Sequence, residues 1–165
     1  IMPSLVGSEM CIRDSYQGSP SHSCRCTPDQ VHRYQAKLSG PLMDRIDLHI
    51  DVPALSAHEL LSSPAGESTD SIRSRCHQAR ARAVARQGLP NQSLNGNAID
   101  EHTRLDPAGA KFLQSAAAQL GWSARSTHRT LKIARTIADL AGTQDTGMAH
   151  VAEAMQYRRV LRTAT

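Results

Sequence analysis

From Ile46 to Val52 apolar and polar residues alternate one by one, with Ile46, Leu48, Ile50 and Val52 on one side and Asp47, His49 and Asp51 on the other. A period of two is that of a half-buried strand, and Pro53 stops it because proline cannot donate to a ladder. Ser39-Gly40-Pro41 ahead of it is a turn and helix-start signal. Arg45 therefore stands at the mouth of the predicted strand, beside Asp44. Elsewhere the period is helical. Thr27-Pro28 is a cap followed by proline at the first helical position, and Val31, Tyr34 and Leu38 predict a short helix over Pro28–Lys37.

Residues 54–67 read as a linker around Ser62-Ser63-Pro64-Ala65-Gly66, with Leu60-Leu61 able to form a helical turn. Ser68 or Thr69 then caps a helix over Asp70–Gln87, closed by Gly88 and Pro90. Ile72, Cys76, Ala79 and Ala83 line its expected buried face, which makes Cys76 an inert core thiol. Asn91–Asp100 is polar and turn-rich. Asp106-Pro107 opens a helix to Leu120 with Ala110, Leu113, Ala117 and Leu120 inward, ended by Gly121. Ser123 caps the longest helix, Ala124–Ala141, and Gly142 closes it. Thr130, Leu131, Ile133, Ala134, Ile137, Ala138, Leu140 and Ala141 make its apolar face, whereas Arg125, Arg129, Lys132, Arg135 or Thr136, and Asp139 make the polar one. Thr146 caps a last helix, Gly147–Leu161, with Met148, Val151, Met155 and Val160 inward. No internal repeat is visible.

Composition narrows the class. One Trp and one Phe in 165 residues are thin for a sandwich or barrel and sufficient for small Ala- and Leu-rich helices. The net charge is +4, and the 19 basic residues are mostly Arg, whose planar fork suits phosphate groups. The arginines between Arg73 and Arg86 read first as a solvated face and second as a stripe for nucleic acid. No apolar run approaches the roughly 18 residues of a membrane span, and no secretory signal is seen. Four Cys without framework spacing fit a reducing cytoplasm. Cys24-x-Cys26 with His22 is half of a zinc site, and a four-ligand site needs a second pair that the chain does not offer nearby. The histidines show no i, i+4 metal pair. There is no GxxxxGK[ST] phosphate loop and no apolar strand ending in Asp-Glu. Spacing alone makes Asp44–Arg45 a surface ion pair of little worth.

Several blocks in order carry a resemblance: Cys24-Arg25-Cys26-Thr27-Pro28, the stretch Ser39–Pro53, Ser123-Ala124-Arg125, Ala134–Gly142 and His150–Arg158. Together, over about Tyr16–Leu161, they resemble magnesium chelatase-like AAA+ ATPases, and within them the bacterial competence-protein branch. The resemblance implies a mainly α chain: residues 68–161 as a C-terminal helical lid, preceded over 16–53 by a helix-plus-strand remnant of the α/β core. It implies that Arg45 is an arginine finger offered in trans to a neighbouring subunit's ATP, and that Arg125 is a sensor-two arginine reaching the γ-phosphate in its own subunit. It further implies a homo-oligomeric, hexameric ring using ATP and Mg²⁺ and acting on DNA in transformation or recombination, with no membrane partner. A cation in a first helical turn opposes the helix dipole, and an anion placed there would resolve the conflict. Met43, Ala83 and Thr127 depart from the family's leucine, glutamine and aromatic residue.

The family has a second Cys pair ahead of Cys24, where this chain has Pro3–Ser15. That segment resembles a translated sequencing adaptor, so residues 1–15 are expected to be foreign and the native start missing. The rival readings are a stand-alone basic helical module that binds nucleic acid without catalysis, and a purely structural partner domain in which Arg45 and Arg125 are replaceable.

Overall fold

The computed structural model describes residues 26–37, 40–43, 45–50, 52 and 55–158. Cys24, Asp44 and the segment 1–15 lie outside them, as do Asp51, Pro53 and Val160. The chain divides into two units, one comprising 1–45 with 51–64 and the other 46–50 with 65–165.

The described part of the first unit is three short helices. Helix α1, Pro28–Gln35, opens with a capping box in which the Gln30 N–H donates to the Thr27 hydroxyl and the Thr27 N–H to the Gln30 side-chain oxygen. Helix α2, Gly40–Met43, is a single turn, after which the Arg45 N–H donates to the Leu42 carbonyl at 2.9 Å. Helix α3, Ala57–Ser62, lies inside the predicted linker and was visible only as a turn at Leu60-Leu61. Its Ser56–Glu59 capping box is the overlooked signal. The backbone bond from Ser56, then its hydroxyl, hold the Glu59 carboxyl below the ordinary range.

The second unit is a helical bundle built around one long helix. Helix α4, Thr69–Gln87, is capped by the Ser68 hydroxyl and closed by Gly88 in the left-handed conformation at φ 73°. A 3₁₀ turn, Asn91–Ser93, and helix α5, Asn97–Thr103, occupy the stretch expected to be a loop. Helices α6, Pro107–Leu120, and α7, Ala124–Ala141, have the predicted caps Asp106 and Ser123 and the predicted left-handed closures Gly121 and Gly142. Helix α8, Met148–Gln156, starts from Gly147 rather than from a Thr146 cap. Thr146 is instead fully buried: its hydroxyl donates to the Thr103 carbonyl, and its backbone bridges Leu105 in parallel. Helix α7 packs against α4, α5, the 3₁₀ turn and α8, and α8 also meets α6. The core between them is Leu94, Ile99, Leu113, Leu131, Ala134, Val151 and Ala154.

Three expectations fail for identifiable reasons. The Ile46–Val52 segment forms no strand among the described residues. A strand exists only by pairing, and the segment's single described backbone tie runs from the His49 N–H to the Tyr157 carbonyl at the end of α8. Its apolar side accordingly faces outward, with Ile50 68% and Val52 86% exposed. On α4 only Ala79 and Ala83 are buried, and its bonds to α7, from Arg82 and Arg86, lie in its C-terminal half; Ile72 and Cys76 are exposed, so Cys76 is no core thiol. On α6 the buried face is Gly109, Leu113 and Ala116, and Leu120 is 57% exposed. Among the described residues no helix is long and apolar enough to cross a membrane.

Candidate functional site

The two ends of α7 present opposite chemistry. At its start, the Ser123 hydroxyl accepts from the Ser126 N–H at 3.2 Å, and the Thr127 hydroxyl bonds back to the Ser123 carbonyl. The first turn contains no acidic residue. It contains Arg125, whose side chain is exposed and finds no hydrogen bond or ion pair among the described residues. Four residues on, and so on the same face, Arg129 pairs with Asp47 at 2.5 Å. The buried Arg158, from beyond α8, brings its Nη2 to 3.5 Å from the Ser126 hydroxyl. Two arginines on α7 and one from the chain after α8 thus gather at the positive end of a long helix, with one carboxylate, Asp47, among them. This arrangement has charge and hydrogen-bond donors for an anion such as a phosphate group.

At the other end, Asp139 and Arg135, both expected on the polar face, are each 1% exposed. Arg86 of α4 grips both carboxylate oxygens of Asp139, Nη1 at 2.7 Å from Oδ1 and Nη2 at 3.0 Å from Oδ2. Asn91 donates to Oδ2 at 2.8 Å, and Arg135 Nη2 to Oδ1 at 2.9 Å. Arg135 also caps the chain after α7 by donating to the carbonyls of Thr143 and Gln144. Burial acts most strongly on Asp139 and raises its pKa, but the bonds from Arg86, Asn91 and Arg135 and the charge of Arg135 together outweigh it and hold the carboxyl low. Arg82 adds a bond to the Asp139 carbonyl. This clamp fastens α4 to α7. Its only sequence signal is the i, i+4 pairing of Arg135 with Asp139 among alanines, which is indistinguishable in sequence from a surface pair.

The clamp also engages part of the arginine stripe. Arg82 and Arg86 are spent on Asp139, Arg73 pairs with Asp70 at 2.6 Å, and Arg75 pairs with Glu67 at 2.9 Å. Four of the five arginines between Arg73 and Arg86 thus have partners within the protein. A cleft of about 260 Å³ between α4 and α7, walled by Cys76, Ala79, Ala83 and Leu140, ends on Asn91 and Asp139, whose polar atoms are already engaged.

Arg45 lies in the first unit, exposed just after α2. Cys26 is half-buried, and among the described residues no group of three His, Cys, Asp or Glu could hold a metal ion.

Residues 66–158 match the family described as magnesium chelatase, subunit ChlI C-terminal. The chain belongs to that family. Residues 4–60 of this family member match the preceding region, described as magnesium chelatase, subunit ChlI, and that match reaches into the segment expected to be foreign. Similar proteins include the competence protein ComM of Haemophilus influenzae, 40% identical over 139 residues, which are 84% of this chain and 27% of the relative. The proteins YifB of Salmonella typhimurium and of Escherichia coli are each 38% identical over 149 residues, 89% of this chain and 29% of theirs. The chain therefore spans under a third of the length of the curated relatives it matches. The family assignment accounts for the helical second unit, the part over which the ChlI C-terminal match runs.

Proposed function

We propose that this chain is the C-terminal part of a ring-forming, magnesium chelatase-like ATPase, with residues 68–161 as its lid and 16–53 as the end of its nucleotide-binding core. In this reading Arg125 binds the γ-phosphate of the subunit's own ATP, and Arg45 reaches the ATP of a neighbour in a hexameric ring. The observation that carries it is Arg125 itself: an exposed guanidinium without a partner among the described residues, at the start of an 18-residue helix capped by Ser123 whose dipole it opposes. Phosphoryl transfer depends on charge supplied from rigid positions, and one arginine can contribute roughly 10³–10⁵ in rate.

Both guanidinium groups donate hydrogen bonds to phosphate oxygens and stabilise charge that builds up there, and neither takes a proton. Mg²⁺ would supply further charge neutralisation when bound. No acidic cluster among the described residues fits it, and its ligands are assigned outside those residues. Resemblance to the competence protein supports DNA as the partner and a cytoplasmic setting in bacterial transformation or recombination.

The test uses the full-length protein. Arg45→Ala and Arg125→Ala are each expected to lower ATP turnover about tenfold or more, roughly 1.4 kcal/mol of transition-state stabilisation. Mixing with subunits lacking a working phosphate loop separates the roles. A loop-intact Arg45→Ala subunit can receive its finger from a loop-dead neighbour, so mixed rings regain activity. An Arg125→Ala subunit cannot be rescued, since neither subunit type has an intact pocket. Equal inactivity of both mixtures would refute the assignment of Arg45 in trans.

A further inference from the structure

We infer that Asp47 and Arg129 are positioning residues: their ion pair moors the segment that follows Arg45 onto helix α7, one turn from Arg125. This deepens the proposed function and rests on it. The segment 46–50 would otherwise be an orphan, since it pairs with no strand among the described residues and its apolar side chains are largely exposed. Yet it groups with the helical bundle rather than with the residues on either side of it.

Three features hold it there. Asp47 Oδ1 accepts from Arg129 Nη1 at 2.5 Å. The His49 N–H donates to the Tyr157 carbonyl at 2.7 Å. The His49 ring has both nitrogens out of solvent without hydrogen-bond partners, so packing, not polar contact, seats it.

Arg45 is one residue ahead of this moored segment and two ahead of Asp47. On its other side, its N–H is fixed to the Leu42 carbonyl. Tethering the residues that follow Arg45 restricts the backbone from which its side chain reaches, which is what positioning contributes to catalysis. Arg129 and Arg125 share one face of α7, so any displacement of α7 at Arg125 is carried to the strap through the pair. Because the Asp47 side chain is 58% exposed and that of Arg129 22%, the pair adds little to stability. Its loss should therefore be readable in turnover without unfolding.

In the full-length protein, Asp47→Ala and Arg129→Ala are each expected to lower turnover roughly threefold, the coupling an exposed pair can supply, with the melting temperature unchanged and, for Asp47→Ala, KM for ATP unchanged as well. The reversed pair, Asp47→Arg with Arg129→Asp, should restore most of the loss, which a merely structural role for either residue alone would not produce. Mixed with loop-dead subunits, Arg129→Ala should be rescued like Arg45→Ala, although Arg129 sits on the same helix as Arg125. If Arg129→Ala resists rescue, it serves its own subunit's pocket and the mooring is wrong. If both single variants keep full turnover while Arg45→Ala is inactive, the finger reading stands and the mooring falls. If Arg45→Ala itself is fully active, the proposed function fails and the inference falls with it.

Discussion

Replacing Asp139 by alanine removes the one carboxylate shared by Arg86, Arg135 and Asn91. Arg135 is 1% exposed and cannot turn to water, so its charge would be left facing only the Thr143 and Gln144 carbonyls and the Thr146 hydroxyl. Arg86 is less trapped, since 17% of its side chain is exposed. Breaking a buried pair from one side costs about 3–5 kcal/mol. The carbonyls left to Arg135 and the partial exposure of Arg86 place Asp139→Ala near the lower bound, about 3 kcal/mol. For a bundle of this size that is a fall in melting temperature of roughly 12–24 °C. Thermal unfolding followed by circular dichroism at pH 7 measures it, and a loss below about 1 kcal/mol would refute the view that the clamp is a stabilising unit. The pH dependence gives a second check. Folded Asp139 holds its carboxyl below the ordinary range, so on acidification the unfolded chain takes up that proton first. The contribution of Asp139 is fully present above its unfolded pKa and is lost as pH falls through the folded one. Asp139→Asn should lack this part of the acid slope, and the gap between it and the parent should close toward low pH.

Gly109→Ala should destabilise the bundle by about 1–2 kcal/mol in the same melts, because its Cβ would lie 2.9 Å from the Asp106 carboxylate that caps α6 and 3.3 Å from the Gly147 backbone. Gly88→Ala meets no neighbouring atom, so its cost should be only that of a left-handed alanine, roughly 1 kcal/mol. The 165-residue chain by itself should show no magnesium-dependent ATP hydrolysis above background in a phosphate-release assay, since it has neither a phosphate loop nor an apolar strand ending in Asp-Glu.

What could be read from the sequence follows the range of the interactions involved. Caps and closures are local, and Thr27, Ser68, Asp106, Ser123, Gly88, Gly121 and Gly142 all act as the sequence suggests. Helix α5 was missed because Asn95-Gly96-Asn97 signals a turn, and only burial of Leu94 and Ile99 in the core shows why the residues after it hold a helix. The period of two at Ile46–Val52 is unmistakable, but a period records which sides differ and not whether a partner strand is there. Charge suggests solvent for Asp139 and for Arg135 or Thr136; Arg135 and Asp139 are instead buried, with Arg86 and Asn91 bonding to Asp139, and that is a tertiary fact. Arg125 is legible as a residue out of keeping with its helix position, and no partner among the described residues explains it.

That misfit yields a test independent of any enzymatic assay. Helices α1, α3, α4 and α5 each carry an acidic residue in the first turn, the sign that the helix dipole favours. Helix α7 carries none there, and bears Arg125 instead. If Arg125 served the fold, some carboxylate or carbonyl would hold it; none among the described residues does. Arg125→Glu should therefore stabilise the chain, by about 0.3–1 kcal/mol at low ionic strength, with the gain shrinking as salt screens the helix end. In the full-length protein the same substitution should abolish turnover, because it places a negative charge where a phosphate is to bind. A gain in melting temperature together with a loss of activity is the signature of a residue retained for an external anion at the expense of local stability. A variant less stable than the parent at low salt would show that Arg125 is held by the protein itself, and the case for a phosphate site at this helix end would lose its main support.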